Sequence, residues 1–147
     1  MDNPSHHLFN TGTVMRVVKA LPPNFQAIKA VFPLAIKPTV IFAYGDIIYN
    51  QSGQALPQEI IAHEEVHGKR QLEIGVELWW EHYLADPQFR YEEELLAHRE
   101  EYKQACKLYT SREHRRRQLK IIARKLCSPL YGSMTNMEKA KQDLTKE

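Results

Sequence analysis

One predicted helix in this chain of 147 residues has no face that is clearly the solvent face. Residues 56–72 have helical periodicity, and Pro57 fits the first turn of a helix. Three apolar residues, Ile61, Ala62 and Val66, spread around its sides. The remaining stripe is formed by Ile60, His63, Glu64, His67 and Gln71. A helix that is apolar nearly all round is buried, so its histidine and glutamate side chains need a partner inside the protein.

The segment before this helix has a different pattern. Its β-branched runs predict strands at residues 14–21, 40–44 and 47–49. Gly45-Asp46 joins the last two as a hairpin turn, and Asn24 caps a short helix that ends at Phe32. We therefore expect a small sheet in the first third of the chain.

The remainder of the chain is helical in pattern. We predict helices at residues 75–85, 86–109 and 111–126. Thr135 and Glu138 have the spacing of a capping box, which predicts one more short helix. The fold class is therefore α+β, a single domain over residues 1–147 with a small N-terminal sheet or hairpin before a mainly helical body. We expect about residues 1–12 and 145–147 to be flexible.

The first long helix carries the pattern H-E-x-x-H, formed by His63, Glu64 and His67. Four residues make close to one helical turn, so both imidazoles project from one face and can chelate a single Zn²⁺. Glu64 lies beside them, where its carboxylate would stand near a metal-bound water without being forced onto the metal. Glu65 points elsewhere, and we expect it to be solvated. The pattern predicts a zinc site with a general base next to it.

A catalytic zinc takes a third protein ligand and leaves its fourth position to water. The residues after His67 include no histidine at the spacing of a three-histidine metzincin site. The other candidates are glutamates near the start of the helix predicted for residues 86–109. Glu94 borders the apolar stripe of that helix, one turn before His98. We therefore predict Glu94 as the third ligand, with Glu93 as the fallback.

This set, two histidines and Glu64 on one helix followed by a glutamate on a later helix, resembles the gluzincin metallopeptidases in their smallest form. Other segments are similar to small metallopeptidase-like proteins encoded by bacteriophages and prophages: WW at residues 79–80, DPQFR at 86–90 and SPLYG at 128–132. The resemblance covers most of the chain from about residue 56 onward. It implies a minimal zincin-like fold, a peptide or protein substrate, and a place in the host cytoplasm.

The resemblance also implies a mechanism, the hydrolysis of a peptide bond by a metal-activated water. Zn²⁺ held by His63, His67 and Glu94 would activate the water, and Glu64 would take its proton as the general base. In gluzincins the residue four after the ligand glutamate is commonly acidic and orients the first histidine, whereas here that residue is His98. An imidazole cannot supply the same negative charge, so the chain departs from the family pattern at this position.

A further hydrogen-bond donor would help to stabilise the transition state. The candidates are His98, Tyr102, Tyr131 and His82, and the sequence does not choose among them. Residues 40–44 could form a sheet edge that pairs with an extended peptide substrate. The same residues also fit an ordinary core strand, which we favour.

Two other functions are consistent with the sequence. The domain could keep the metal site and act as a phage interaction or assembly module without turnover.

Residues 112–125 carry seven lysines and arginines but one acid, Glu113, and such a basic helix could contact nucleic-acid phosphates. We favour a solvated helix face there, with Leu119, Ile122 and Leu126 turned inward, because no aromatic residues are interleaved for base stacking.

Composition narrows the setting of the protein. A net charge of +2 is too small to attract the whole protein to nucleic acid or to an anionic membrane. No apolar stretch is long enough to span a membrane, and the first residues lack the features of a secretory signal. Cys106 and Cys127 stand far apart, without the C-x-x-C spacing of a zinc module. We therefore expect a cytoplasmic protein with reduced cysteines and with zinc as its cofactor.

Overall fold

The computed structural model describes residues 6–8 and 14–146 of the chain. The described residues form an α+β fold, as predicted, in which a small sheet near the N-terminus is followed by packed helices. The strands are β1 (His6–Leu8), β2 (Val14–Val18), β3 (Ile41–Tyr44) and β4 (Ile47–Asn50). The helices are α1 (Phe25–Val31), α2 (Gln58–Ile74), α3 (Val76–Ala85), α4 (Pro87–Leu108), α5 (Arg112–Leu126) and α6 (Met137–Thr145), with 3₁₀ turns at Pro33–Ile36 and Pro129–Tyr131.

The strands lie in the order β1-β2-β4-β3, which places β3 at one edge of the described sheet. β3 and β4 form the predicted hairpin, in which Tyr44 pairs with Ile47 across the turn at Gly45 and Asp46. Gly45 has a φ of 65°, a left-handed conformation that glycine adopts without strain. β2 runs parallel to β4, and β1 is antiparallel to β2. The strand predicted for residues 40–44 is present over Ile41–Tyr44. It lies at an edge of the described sheet, and Phe42 and Ala43 are buried, so it has features of both the edge and the core interpretation.

The predicted flexible ends fall mostly outside the described residues. Of the two ranges, 1–12 and 145–147, the structure describes residues 6–8 and 145–146. His6–Leu8 pairs with β2, and Thr145 is the last residue of α6.

The start of α6 differs from the prediction by one residue. Asn136, rather than Thr135, is the cap, because its side-chain oxygen accepts a hydrogen bond from the backbone N–H of Lys139 at 2.9 Å. The capping box predicted for Thr135 and Glu138 was therefore wrong, although the helix itself is present.

α2 is covered on two sides, as its sequence pattern predicted, because it packs both on β3 and on α4. The core between α2 and the sheet contains Met15, Ala43, Ile48 and Ile61. A second cluster joins α1, β3 and α3 through Ile28, Phe32, Phe42, Trp79, Trp80 and Tyr83. A third cluster joins α5 and α6 through Ile122, Ala123, Leu126, Ala140 and Leu144. The polar stripe of α2 is thus enclosed by the rest of the fold.

α2 is joined to the β3–β4 hairpin by one buried side chain, Gln71. Its Nε2 donates to the carbonyl of Ala43 at 2.9 Å, and its Oε1 accepts from the N–H of Gly45 at 2.7 Å. Three residues earlier, Gly68 lets the helix approach the same hairpin. A Cβ on Gly68 would lie 2.8 Å from the carbonyl oxygen of Gly45 and 2.9 Å from the terminal methyl of Met15. The position of α2 on the sheet therefore depends on the side-chain amide of Gln71 and on the absence of a side chain at Gly68.

Replacing Gly68 with alanine is expected to lower the free energy of unfolding by about 1–3 kcal/mol, the usual cost of overpacking. The contact at 2.8 Å is to a backbone carbonyl, so it outweighs the gain in helix propensity of about 1 kcal/mol. Urea unfolding measures the difference. Lys69→Ala, at the exposed neighbouring position, is the control and should stay within about 0.5 kcal/mol of wild type. A Gly68→Ala protein as stable as wild type would contradict the close approach.

Candidate metal centre

The two histidines of the H-E-x-x-H pattern meet a glutamate of α4 in the interior of the protein. The carboxylate of Glu94 lies between both imidazoles, with Oε1 3.3 Å from Nε2 of His63 and Oε2 3.2 Å from Nε2 of His67. All three residues are buried. Two ligand atoms of a tetrahedral zinc site, each about 2.0–2.1 Å from the ion, lie about 3.3 Å apart. The structure therefore brings the three predicted ligands together, with each imidazole beside a different oxygen of the Glu94 carboxylate.

Several polar atoms of this cluster have no hydrogen-bond partner among the described residues. They are Nε2 of His67, Oε1 of Glu94 and Nε2 of His98, and all are buried. Buried nitrogen and oxygen atoms nearly always have a partner, because leaving one unpaired costs about 1–3 kcal/mol. The group whose ligand atoms all lie within 4.8 Å of one another is His63, Glu94 and His98, and it does not include the predicted ligand His67. The residues present therefore fit a metal ion.

Glu93, the fallback ligand, lies away from the histidines. Its carboxylate accepts hydrogen bonds from the guanidinium of Arg70, at 3.1 and 2.8 Å, and from Nε1 of Trp79 at 2.8 Å. These hydrogen bonds hold the Glu93 carboxylate at Arg70 and Trp79 and away from the histidines. Of the two candidates, Glu94 is the one that the structure places at the histidines.

Glu64 lies beside the cluster rather than inside it. Its Oε2 is 3.7 Å from Nε2 of His63, and the side chain is buried. Burial raises the pKa of Glu64, while His63 and His67 act in the opposite direction. Glu65 was expected to be solvated, but it is half-buried, because α2 is covered on more than one side. Burial, with a contribution from Glu100, raises the pKa of Glu65 to about 7.

A second carboxylate, which the sequence analysis missed, lies behind the histidines. Oε1 of Glu101 is 3.0 Å from Nδ1 of His98 and 2.9 Å from Nδ1 of His63, the second contact not being aligned as a hydrogen bond. Its Oε2 accepts a hydrogen bond from Nζ of Lys125 at 2.7 Å. A signal for Glu101 was available in the sequence, because residues seven apart, here Glu94 and Glu101, lie on the same helix face.

The charges in this cluster stabilise one another. Burial opposes protonation of His63, but contacts with Glu101 and Glu94 outweigh it and raise the pKa of His63 to about 10. Burial would also raise the pKa of Glu94, yet His67 and His63 hold it well below its usual range. The pKa of Glu101 is lowered in the same way, by His63 and His98 against the effect of burial. Two ionised carboxylates therefore face the imidazoles, and the site favours a cation.

Aromatic residues of α3 hold the third predicted ligand in place. The hydroxyl of Tyr83 donates a hydrogen bond to Oε2 of Glu94 at 2.5 Å, and its ring stacks on Trp79 with centroids 4.8 Å apart. Burial, followed by the charge of Glu94, raises the pKa of Tyr83 well above its usual range. The hydroxyl therefore keeps its proton and remains a donor. Sequence analysis missed Tyr83 because its role depends on how α3 packs against α4.

Two of the four donor candidates lie at the site. His98 is part of the cluster, and the ring of Tyr131 lies 6.0 Å from that of His98. Tyr102 instead packs against α5 and α6. It follows Glu101 by one residue, so its side chain points about 100° away from the cluster. His82 is exposed on α3. The structure thus does not bring Tyr102 or His82 to the predicted centre.

A cavity of about 350 Å³ adjoins the cluster and gives it room for a ligand. The polar part of its wall includes His63, Glu64, His67 and Glu94. The apolar part includes Ile28, Phe32, Trp80 and Leu130. Residues of the edge strand β3 also line it, so the cavity joins the metal-binding candidates to the edge of the sheet.

The basic helix α5 has two different faces. Ile122 and Leu126 are buried and Leu119 packs with them, as predicted. The exposed face carries Arg112, Arg116, Lys120 and Arg124. Lys125 differs from these residues, since it hydrogen-bonds to the buried Glu101. Part of the basic charge of this helix therefore belongs to the candidate metal centre.

No protein-family model, curated protein or solved structure matches this chain. Among the described helices, none combines the length and the apolar character needed to cross a membrane.

Replacing Glu101 with glutamine is expected to weaken zinc binding by about 10–100-fold, the usual effect of losing a carboxylate behind a metal-ligating histidine. The amide keeps the shape of the side chain but removes the charge that faces His63 and Lys125. Competition with a chromophoric chelator measures the affinity. Glu100→Gln, the same change at the adjacent residue, is the matched control and should bind zinc as wild type does. Equal affinity in the two variants would show that Glu101 does not support the site.

Proposed function

We propose that the protein is a zinc-dependent metallopeptidase of the gluzincin type, in which His63, His67 and Glu94 bind Zn²⁺. The observation that carries this proposal is the position of the Glu94 carboxylate, whose oxygens lie 3.3 and 3.2 Å from Nε2 of the two histidines. Two imidazoles and one carboxylate are the donor set of a common class of catalytic zinc sites. The buried atoms that lack partners in the same cluster also support a bound ion.

Glu64 is the proposed general base. When bound, zinc would polarise a carbonyl group and lower the pKa of a water molecule toward neutrality. The carboxylate of Glu64 lines the cavity beside His63, and its burial raises its pKa. Such a carboxylate accepts a proton from the attacking water and returns it to the amine nitrogen as the C–N bond breaks. One side chain thus serves both proton transfers.

Tyr131 is the proposed donor to the carbonyl oxygen of the substrate. It lines the same cavity as the three predicted ligands. Burial, followed by the nearby charge of Glu94, raises the pKa of Tyr131 well above its usual range. Its hydroxyl therefore keeps its proton near neutral pH and can donate to the negative charge that develops during attack.

The edge strand β3 is the proposed site for the backbone of the substrate. The carbonyl of Ala43 points to Gln71 and Trp80, at 2.9 and 3.2 Å, and not into the hairpin. Hydrogen-bonding direction alternates along a strand, so the backbone of Ile41 faces the same edge. An extended peptide could pair with this edge through Ile41. The apolar part of the cavity wall then suits an apolar side chain of that peptide.

A metal-binding module without turnover is the alternative function. It is favoured by one observation, the third imidazole at the cluster, since Nε2 of His98 lies 3.7 Å from Oε1 of Glu94. A catalytic zinc keeps one position open for water, whereas a fourth protein ligand closes it. A phage or prophage origin and a role in the host cytoplasm are compatible with both functions and rest on the sequence resemblance alone.

The purified protein is expected to contain about one zinc ion per chain, and His63→Ala and Glu94→Ala are expected to lose it. In wild type, zinc at about 100 times its dissociation constant should raise the free energy of unfolding by about 2.7 kcal/mol. The two variants should not gain this stability, because each lacks a ligand. Elemental analysis and urea unfolding measure the two effects, with His114→Ala, an exposed histidine, as the control. Equal zinc content in all four proteins would rule out the proposed site.

Glu64→Gln is expected to reduce peptide hydrolysis by about 10²–10⁴-fold, because the amide cannot accept the proton of the attacking water. Its zinc content should match wild type. A library of fluorescence-quenched peptides serves as substrate, and Glu65→Gln, the same change at the next residue, should keep its activity. If zinc-loaded wild type leaves the whole library uncut, the proposed peptidase is wrong and the module without turnover is the better account.

A further inference from the structure

A third imidazole lies against the cluster that the proposed function assigns to zinc. His98 is on α4, one turn after Glu94, and its side chain is 1 % exposed. Nε2 of His98 is 3.7 Å from Oε1 of Glu94, and its ring centroid is 4.4 Å from that of His63. The motif of two histidines and one glutamate does not include this residue.

One ring nitrogen of His98 has a hydrogen-bond partner and the other has none among the described residues, and this sets where its lone pair points. Nδ1 lies 3.0 Å from Oε1 of Glu101, whose other oxygen accepts a hydrogen bond from Lys125. An ionised carboxylate can only accept, so Nδ1 of His98 carries the proton and Nε2 carries the lone pair. That Nε2 is buried and has no hydrogen-bond partner among the described residues. Its lone pair therefore lies on the side of Glu94 and is available to bind a metal ion.

An imidazole with its proton on Nδ1 is the form that binds a metal ion through Nε2. The same carboxylate, Glu101, also lies 2.9 Å from Nδ1 of His63, so one acid faces both imidazoles from behind. This is the usual placement of an outer carboxylate around metal-ligating histidines.

We propose that His98 is a fourth protein ligand, so that the ion is held by three imidazoles and the carboxylate of Glu94. The ligand atoms of His63, Glu94 and His98 already lie within 4.8 Å of one another. Tetrahedral ligand atoms around zinc are about 3.3 Å apart, so the separation of 3.7 Å between His98 and Glu94 must shorten by about 0.4 Å. This inference rests on the metal binding of the proposed function and not on its hydrolysis.

A fourth protein ligand changes what the site can do. Sites with four protein ligands are closed, whereas hydrolytic zinc sites leave one position to water. Water or a substrate carbonyl then has to enter as a fifth ligand or displace His98. His98 therefore sets the balance between the peptidase and the module without turnover.

The test is a count of metal-bound histidines in the full-length protein. Long-range ¹H–¹⁵N spectra of histidine-labelled protein, recorded with one equivalent of Zn²⁺, separate protonated, free and metal-bound ring nitrogens. Wild type should show three histidines with a metal-bound Nε2, and His98→Gln should show two. His114→Gln, at an exposed position of α5, is the matched control and should keep three.

Each outcome of this experiment decides one claim. Two metal-bound histidines in wild type, with Nε2 of His98 free or protonated, would overturn the fourth ligand and leave the proposed zinc site intact. No metal-bound histidine in wild type would instead overturn the proposed function, on which the inference depends. The wild-type count needs no variant, so the result stands even if His98→Gln fails to fold.

Discussion

The fold depends on the burial of a polar stripe along α2. Burying charged and polar groups is costly unless each finds a partner, and the two halves of the stripe find theirs in different places. At one end, the amide of Gln71 bonds to the backbone of the β3–β4 hairpin, which fixes the helix on the sheet. At the other end, His63 and His67 meet carboxylates of α4. The sheet therefore supplies the partners for one end of the polar stripe of α2, and α4 supplies those for the other end.

The charges at the α4 end balance when His63 carries a proton. Glu94 and Glu101 are buried there with lowered pKa values, and Lys125 is the cation that bonds directly to Glu101. Two carboxylates and one ammonium leave one negative charge, and the raised pKa of His63, about 10, favours a proton that offsets it. A metal ion could take the place of that proton, and it would also bind the nitrogens that lack hydrogen bonds.

Local pattern was sufficient for much of the fold and for part of the site. Helical spacing placed His63, Glu64 and His67 on one helix face, and the turn residues Gly45 and Asp46 marked the hairpin that the structure contains. Such features depend on residues close in the chain. They do not require knowledge of which elements pack together.

The rest of the site depends on packing between helices and could not be found in this way. The sequence pattern predicts a single apolar stripe on α4, whereas the helix has two packed faces. One face turns Glu94 and His98 to α2, and the other turns Leu95 and Tyr102 to α5 and α6. Tyr102 was for that reason a poor candidate. Partners from other helices, such as Lys125 at Glu101, become visible only when the helices are assembled.

The sequence resemblance to gluzincins, which is an expectation from the residues alone, breaks at His98. Where the pattern has an acid four residues after the ligand glutamate, this chain has His98, and its acid stands three residues further on at Glu101. His98 and Glu101, four and seven residues after Glu94, lie on the same face of α4. Compared with the gluzincin pattern, the acid therefore stands about one turn further along the helix, and an imidazole occupies its position. The Glu101 carboxylate nonetheless lies close to His63, with Oε1 2.9 Å from Nδ1. Glu101 thereby faces the Nδ1 atoms of two histidines, His63 and His98. If His98 were a fourth ligand, it would hold an ion more tightly and would also restrict the access of a substrate to that ion.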